Sequence, residues 1–263
     1  MNTLRRNKMF TTALALLVVG VFWFNWNSNA VSEEPTPTPV PPFLQKHTFG
    51  QSVAGRAIEG YEIGRGTEVI LMLGSIHGNE MGTTDLLTQL IEEVIASPSL
   101  VSKNKKLVVI PMANPDGFID RIDKSNANGV NLNLNFPTAK WEHYGSGGTY
   151  AGPEPFSEPE SRIIRDVVER YQPAALIAFH ARGALVSPEL SDVSKKLSSW
   201  YAAKSGYDYY DEWDYFGTAT RWFEETTGRP STTVELTKYL ESDWRINQPA
   251  LMELIGGLKI SEL

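Results

Sequence analysis

The stretch "EVILMLGSIHGNEMGTTDLLTQLIEEVIAS", residues 68–97, decides the fold. Its opening residues are apolar without alternation, which suits a strand buried on both faces. From Met81 onward the apolar residues recur at helical spacing, so the stretch predicts a helix over 81–97. Between the two, Gly74 closes the apolar run and His77 and Glu80 follow, three residues apart. If that join opens a helix or a tight turn, both side chains point to one side. Buried strand, short loop and helix form the repeating unit of an α/β sheet.

The same signals recur along the chain. Residues 56–64 alternate and end in glycine, as a strand does, and residues 106–112 and 174–180 are further buried strands. "STTVEL", residues 231–236, is a short strand rich in β-branched residues. Helices are expected over 157–171, opened by a capping box of Ser157 and Glu160, and over 191–206 and 218–228. A last helix is expected over 244–258 around an internal proline, and "NPDG" at 114–117 reads as a turn. The fold expected is α/β, a mixed and mainly parallel central sheet with helices on both faces. His47 and His143 fall in expected loops, as structural or solvated residues.

In such sheets ligands bind beyond the carboxyl ends of the strands. His77 and Glu80 follow the first buried strand, Asn114 the second; the third runs into His180 and "STTV" into Glu235. Two imidazoles and one carboxylate, with a fourth position open, form a catalytic zinc set. His77, Glu80 and His180 are the candidate ligands of one zinc ion per chain, and Glu235 is the candidate general base. Each feature alone is common; their joint position at strand ends is what points to a site.

Composition bounds the rest. The chain has 263 residues, 41% of them hydrophobic, enough for one large core. Its net charge of −7 and the lack of a basic run argue against a nucleic-acid partner. With no cysteine, any metal must use His, Asp or Glu. Arg5, Arg6 and Lys8 precede an uncharged apolar run over 9–24, the pattern of a signal peptide or N-terminal membrane anchor within residues 1–30. Retained, it attaches the protein to a membrane; cleaved after Ala30, it releases a secreted protein, and both place the domain outside the cytoplasm. A proline-rich linker covers 31–42, an extended stalk ahead of a catalytic domain at 43–263.

"GSIHGNE", "NPDG", "NANGVNLNLNFP", "SEPES", "FH" and "VEL" stand in the order seen in zinc carboxypeptidases of the carboxypeptidase A type, and "FGQSVAGRAI" resembles the usual start of that domain. The likeness is greatest to the short bacterial branch that includes murein tripeptide amidase. The resemblance implies a zinc carboxypeptidase-like fold and hydrolysis of peptide or amide bonds. It also implies a peptide or cell-wall muropeptide substrate, His77, Glu80 and His180 as ligands, and Glu235 as base. Three positions depart from the family pattern. Asn131 replaces an aspartate, and Leu134 stands where an arginine that grips a terminal carboxylate is expected. Lys124 aligns with the arginine that steadies the oxyanion, with Arg121 as a nearby alternative; Asn133 matches a substrate-binding asparagine. Arg182 is a candidate to replace the missing carboxylate grip. "YDYYDEWDYFG", residues 207–217, falls where the family has a specificity loop, and its aromatic and acidic residues suit a sugar or a cationic group. Two other readings compete: a deacylase of N-acyl amino acids, which shares the His-Gly-x-Glu signature, and a non-catalytic surface binding module.

Overall fold

The computed structural model describes residues 43–142 and 147–263. The N-terminal apolar run, the proline-rich linker and His143 lie outside them. In chain order the elements are β1 Leu44–Gln51, β2 Ala57–Gly64, β3 Glu68–Leu73, α1 Met81–Ala96, β4 Lys105–Ile110, α2 Pro115–Ile119, α3 Pro159–Tyr171, β5 Ala175–Ala181, β6 Leu185–Pro188, α4 Asp192–Ser205, β7 Asp208–Tyr209, α5 Ala219–Thr227, β8 Ser231–Leu236 and α6 Trp244–Gly256. The eight strands form one sheet in the order β1-β2-β4-β3-β5-β8-β6-β7. The four central strands, β4, β3, β5 and β8, run parallel; β1 pairs antiparallel with β2, β2 with β4 and β6 with β8, and β7 pairs parallel with β6. The expected mixed, mainly parallel sheet is the one observed.

Strand alternation splits the core in two. Ile70 and Met72 of β3 point to the face covered by α1, α4 and α6, where Leu86, Leu90, Leu197, Tyr201 and Leu251 are buried. Val69, Leu71 and Leu73 point to the opposite face, against Ile164 and Val168 of α3 and Trp222 and Phe223 of α5. Both faces are thus dry, and the unbroken apolar strands are what that arrangement requires.

Some local expectations are corrected. His47 is not in a loop; it lies in β1, its ring stacked on Phe49 at 5.6 Å. The β1, β6 and β7 strands were not anticipated. The first is a polar sheet edge, which suppresses edge-to-edge association at the expense of an apolar signature. "NPDG" begins the short helix α2, capped by Asn114, whose side chain accepts from Gly117 N. The capping box does not form at α3. Glu158 is its N-cap residue, and Glu160 instead accepts from Val53 N and Asn126 Nδ2, both at 3.1 Å. Asn126 also donates to Glu158 at 2.8 Å. The acids of "SEPES" therefore fasten the 126–135 loop to α3, because a buried carboxylate needs donors and this loop supplies them.

Leu71 is fully buried at the sheet centre. Leu71→Ala is expected to destabilise the domain by about 2–5 kcal/mol, through lost transfer energy and the cavity left behind. Urea unfolding should show a lower midpoint at unchanged slope.

Candidate metal centre and its cleft

The join between β3 and α1 builds the first half of the site. Gly74 ends the strand, and Ser75 takes a left-handed backbone at φ 41°. Its N–H donates to Thr83 Oγ1 at 2.7 Å and its hydroxyl to the Glu80 carbonyl at 3.0 Å, which offsets the strain. Gly78 passes so close to the next loop that a Cβ there would lie 2.4 Å from the Gly117 carbonyl carbon. Asn114 donates to the Ile76 carbonyl at 3.3 Å and the Ser125 carbonyl at 3.1 Å, sewing this loop to its neighbour. The chain is held on both sides of His77 before its side chain meets anything.

β5 brings the second half, since it is paired to β3 and delivers His180 beside the loop. Glu80 lies between the two imidazoles. Its Oε1 is 2.8 Å from His77 Nδ1 and its Oε2 is 2.9 Å from His180 Nδ1. The two ring centroids are 4.9 Å apart, and all three residues are buried. Burial alone would raise the Glu80 carboxyl, but the two histidines outweigh it and hold it at about 2. The carboxylate is therefore ionised throughout the neutral range.

These three residues fit a zinc ion. One ligand atom from each lies within 4.8 Å of the other two. Around a tetrahedral ion bound at about 2 Å, ligand atoms sit roughly 3.3 Å apart, so small side-chain shifts suffice. The donor set is borderline-soft nitrogen plus carboxylate, which zinc prefers. Asn131 fixes one imidazole. Its Nδ2 donates to the Gly148 carbonyl at 2.8 Å, which leaves Oδ1 to accept from His77 Nε2 at 3.2 Å. With Nε2–H kept on Asn131, a metal would take the place of the Nδ1 proton that faces Glu80, and the Nδ1 lone pair would then be the ligand.

One cleft of about 680 Å³ contains the triad. Glu235 enters it from the end of β8, directly beside His180 in the sheet register. Burial raises its carboxyl to about 7; the charge of Glu80 acts in the same direction, while His180 and Lys124 oppose it. Lys124 lines the same cleft. Asn133 lines it too, with Nδ2 at 3.4 Å from His180 Nε2 and Oδ1 accepting from Ala219 N at the start of α5. Arg182 is in the wall, its guanidinium 5.6 Å from the centre of the Tyr239 ring. Arg121 is not in the wall; its guanidinium reaches the Met81 sulfur at 2.8 Å. Leu134 does line the cleft, so the position where an arginine is expected presents an aliphatic surface.

Sequence reasoning missed an ion-paired group in this wall. Arg221, 3% exposed, donates through Nε to Glu189 at 2.5 Å and faces Asp214 at 3.3 Å. Burial raises the Glu189 carboxyl, against the lowering effect of Arg221 and Thr220. The only signal was a basic residue beside Trp222 and Phe223 on an amphipathic helix; its partner lies 32 positions away and carried none.

The zinc carboxypeptidase family matches residues 38–205, more than half of the chain. That span includes His77, Glu80, Lys124, Asn133 and His180, while Glu235 follows it. Gamma-D-glutamyl-L-diamino acid endopeptidase 1 of Lysinibacillus sphaericus is 26% identical over 74% of this chain and 61% of its own length. Murein peptide amidase A of Escherichia coli K12 is 30% identical over 49% of this chain and 55% of its own. The chain thus spans little more than half the length of these relatives. Among solved structures, murein-tripeptide amidase of Escherichia coli O157 superposes with a TM-score of 0.64 at 24% identity, covering 83% of this chain and 94% of that one. The carboxypeptidase A of Helicoverpa armigera gives 0.68 at 22% identity, over 81% and 66%. With the strand order, the paired imidazoles and the family match agreeing, this chain belongs to the zinc carboxypeptidase family.

Proposed function

We propose that the protein is a zinc-dependent hydrolase of amide bonds in peptides, with cell-wall muropeptides as the leading substrate. One observation carries the reading: a His-Glu-His donor set and a second, free carboxylate, Glu235, share a single cleft at the strand ends. When bound, zinc supplies Lewis acidity for a carbonyl and makes water easier to deprotonate. His77, Glu80 and His180 would hold it, and Asn131 keeps His77 in the coordinating tautomer.

The chain's own groups then divide the work. Glu235 takes the proton of the attacking water and returns it to the leaving nitrogen. A carboxyl lifted towards neutrality suits both steps, since it is basic enough to accept and acidic enough to give back. Lys124 stabilises the negative oxygen as the carbonyl becomes tetrahedral, as a point charge rather than a planar fork. Asn133 contributes an amide to the bound peptide. Relatives named for murein and for γ-D-glutamyl bonds support the cell-wall substrate. So does the basic-then-apolar N-terminal run, which supports a place outside the cytoplasmic membrane, anchored or secreted.

Three outcomes test this reading. The purified protein should contain close to one zinc per chain by elemental analysis, and His77→Ala should lose it. On muropeptides, Glu235→Gln should lower kcat by about 10²–10⁴-fold with zinc retained. Unchanged turnover in Glu235→Gln would remove Glu235 as the base, and no turnover by the zinc-loaded protein would leave a binding module as the better description. Lys124→Met should lower kcat by roughly 10²–10³-fold while KM changes little, because its charge acts on the developing oxyanion.

A further inference from the structure

The connection from β8 to α6, residues 237–243, leaves the sheet directly after Glu235 and Leu236. Packing does little to hold it. None of its residues is buried, Leu240 is 67% exposed, and Tyr239 alone among them rests against the core. The ion pair of Lys238 with Glu241 is exposed on both sides and adds little. Polar bonds must therefore set its path, and they fall at two places.

The first is Asp243. Its Oδ2 accepts from the Thr237 N–H at 2.6 Å and its Oδ1 from the Thr237 hydroxyl at 2.8 Å. One carboxylate thus ties the last residue of the connection to the first, from a left-handed backbone at φ 48°. The frame behind it is buried. The Tyr207 hydroxyl donates to Asp243 Oδ2 at 2.6 Å, and burial together with that acid raises the hydroxyl, so it stays a donor. Asn247, fully buried, donates to the Tyr207 oxygen at 3.2 Å and to the Asp243 carbonyl at 3.1 Å, and accepts from the buried Tyr201 hydroxyl at 2.8 Å.

The second place is the start of α1. The Gly82 N–H, two residues past Glu80, donates to the Tyr239 carbonyl at 2.6 Å, and a Cβ on Gly82 would lie 2.3 Å from the Glu241 carbonyl oxygen. The connection therefore bridges the strand that carries Glu235 and the helix that follows Glu80. Glu235 has no slack on its other side. The Leu236 carbonyl accepts from Gly183 N at 2.9 Å, and a Cβ on Gly183 would lie 2.9 Å from Glu235 Cβ.

We propose that Asp243 is a positioning residue for the reaction: by pinning Thr237 it sets where Glu235 stands relative to His77, Glu80 and His180. The inference rests on the hydrolase reading above and extends it to a residue away from the reacting atoms. Asp243 and Thr237 are not in the cleft wall, so they act through Glu235 and not on the substrate.

Kinetics and crystallography of the zinc-loaded protein test it together. Asp243→Ala should lower kcat on muropeptides by about 10–10²-fold, the effect of a catalytic group misplaced by about 1 Å, with KM within about twofold and zinc content unchanged. Thr237→Val should lower kcat by about 2–10-fold through the one hydrogen bond it removes, and Thr237→Ser, which keeps the hydroxyl, should restore it. Should Asp243→Ala fail to fold by circular dichroism, the Thr237 pair decides. In crystal structures, the parent protein and the Ala or Val variant should superpose at His77, Glu80 and His180 and differ by about 1 Å at the Glu235 carboxyl. An unmoved Glu235, an unchanged kcat in both variants, or a loss of turnover that follows loss of zinc overturns the proposal. A displaced Glu235 in a protein that hydrolyses no muropeptide upholds the positioning and overturns the hydrolase reading; hydrolysis by the parent protein with Glu235 unmoved in the variant does the reverse.

Discussion

The structure depends on a carboxylate shared between two imidazoles. Glu80 is 2% exposed, and an ionised acid so far from water is costly unless it is fully partnered. His77 and His180 partner both oxygens, and neither histidine comes from a position that chance would bring there. One is delivered by a loop held by Ser75, Gly78 and Asn114; the other by the end of a central strand. The two apolar clusters on the faces of the sheet fix the strands whose ends bring these groups together.

Much of this was legible in the sequence because the signals were local. Unbroken apolar runs marked β3, β4 and β5 as buried, and the polar residues just beyond them marked the site. Helix limits were legible where capping residues were conventional, as at Ser191 and Thr218, which accept from Ser194 N and Arg221 N. What failed was non-local. Ser157 and Glu160 have the spacing of a capping box, but loop groups 34 and 107 residues away claim Glu160. The edge strand β1 is polar because its outer edge faces solvent, and so gave no periodic signal. The Glu189–Arg221 pair exists only once β6 and α5 are side by side, and no spacing rule reaches across that distance.

The departures from the family pattern acquire a physical sense in the cleft. Asn131 keeps the acceptor that His77 Nε2 requires, but as a neutral amide, so it orients the ring without adding negative charge beside the metal. Leu134 puts an apolar surface into the cleft at the position where the family pattern has a cation. Asn131 thus acts beside His77, while Leu134 lines the cleft.

The most direct measurement of the central claim is X-ray absorption at the zinc edge on protein loaded with one equivalent of the metal. Two imidazole nitrogens at about 2.0–2.1 Å and carboxylate oxygen at about 2.0–2.2 Å are expected in the first coordination shell. A shell of oxygen alone, or with a single imidazole, would show that His77 and His180 do not converge on one ion, and would contradict it.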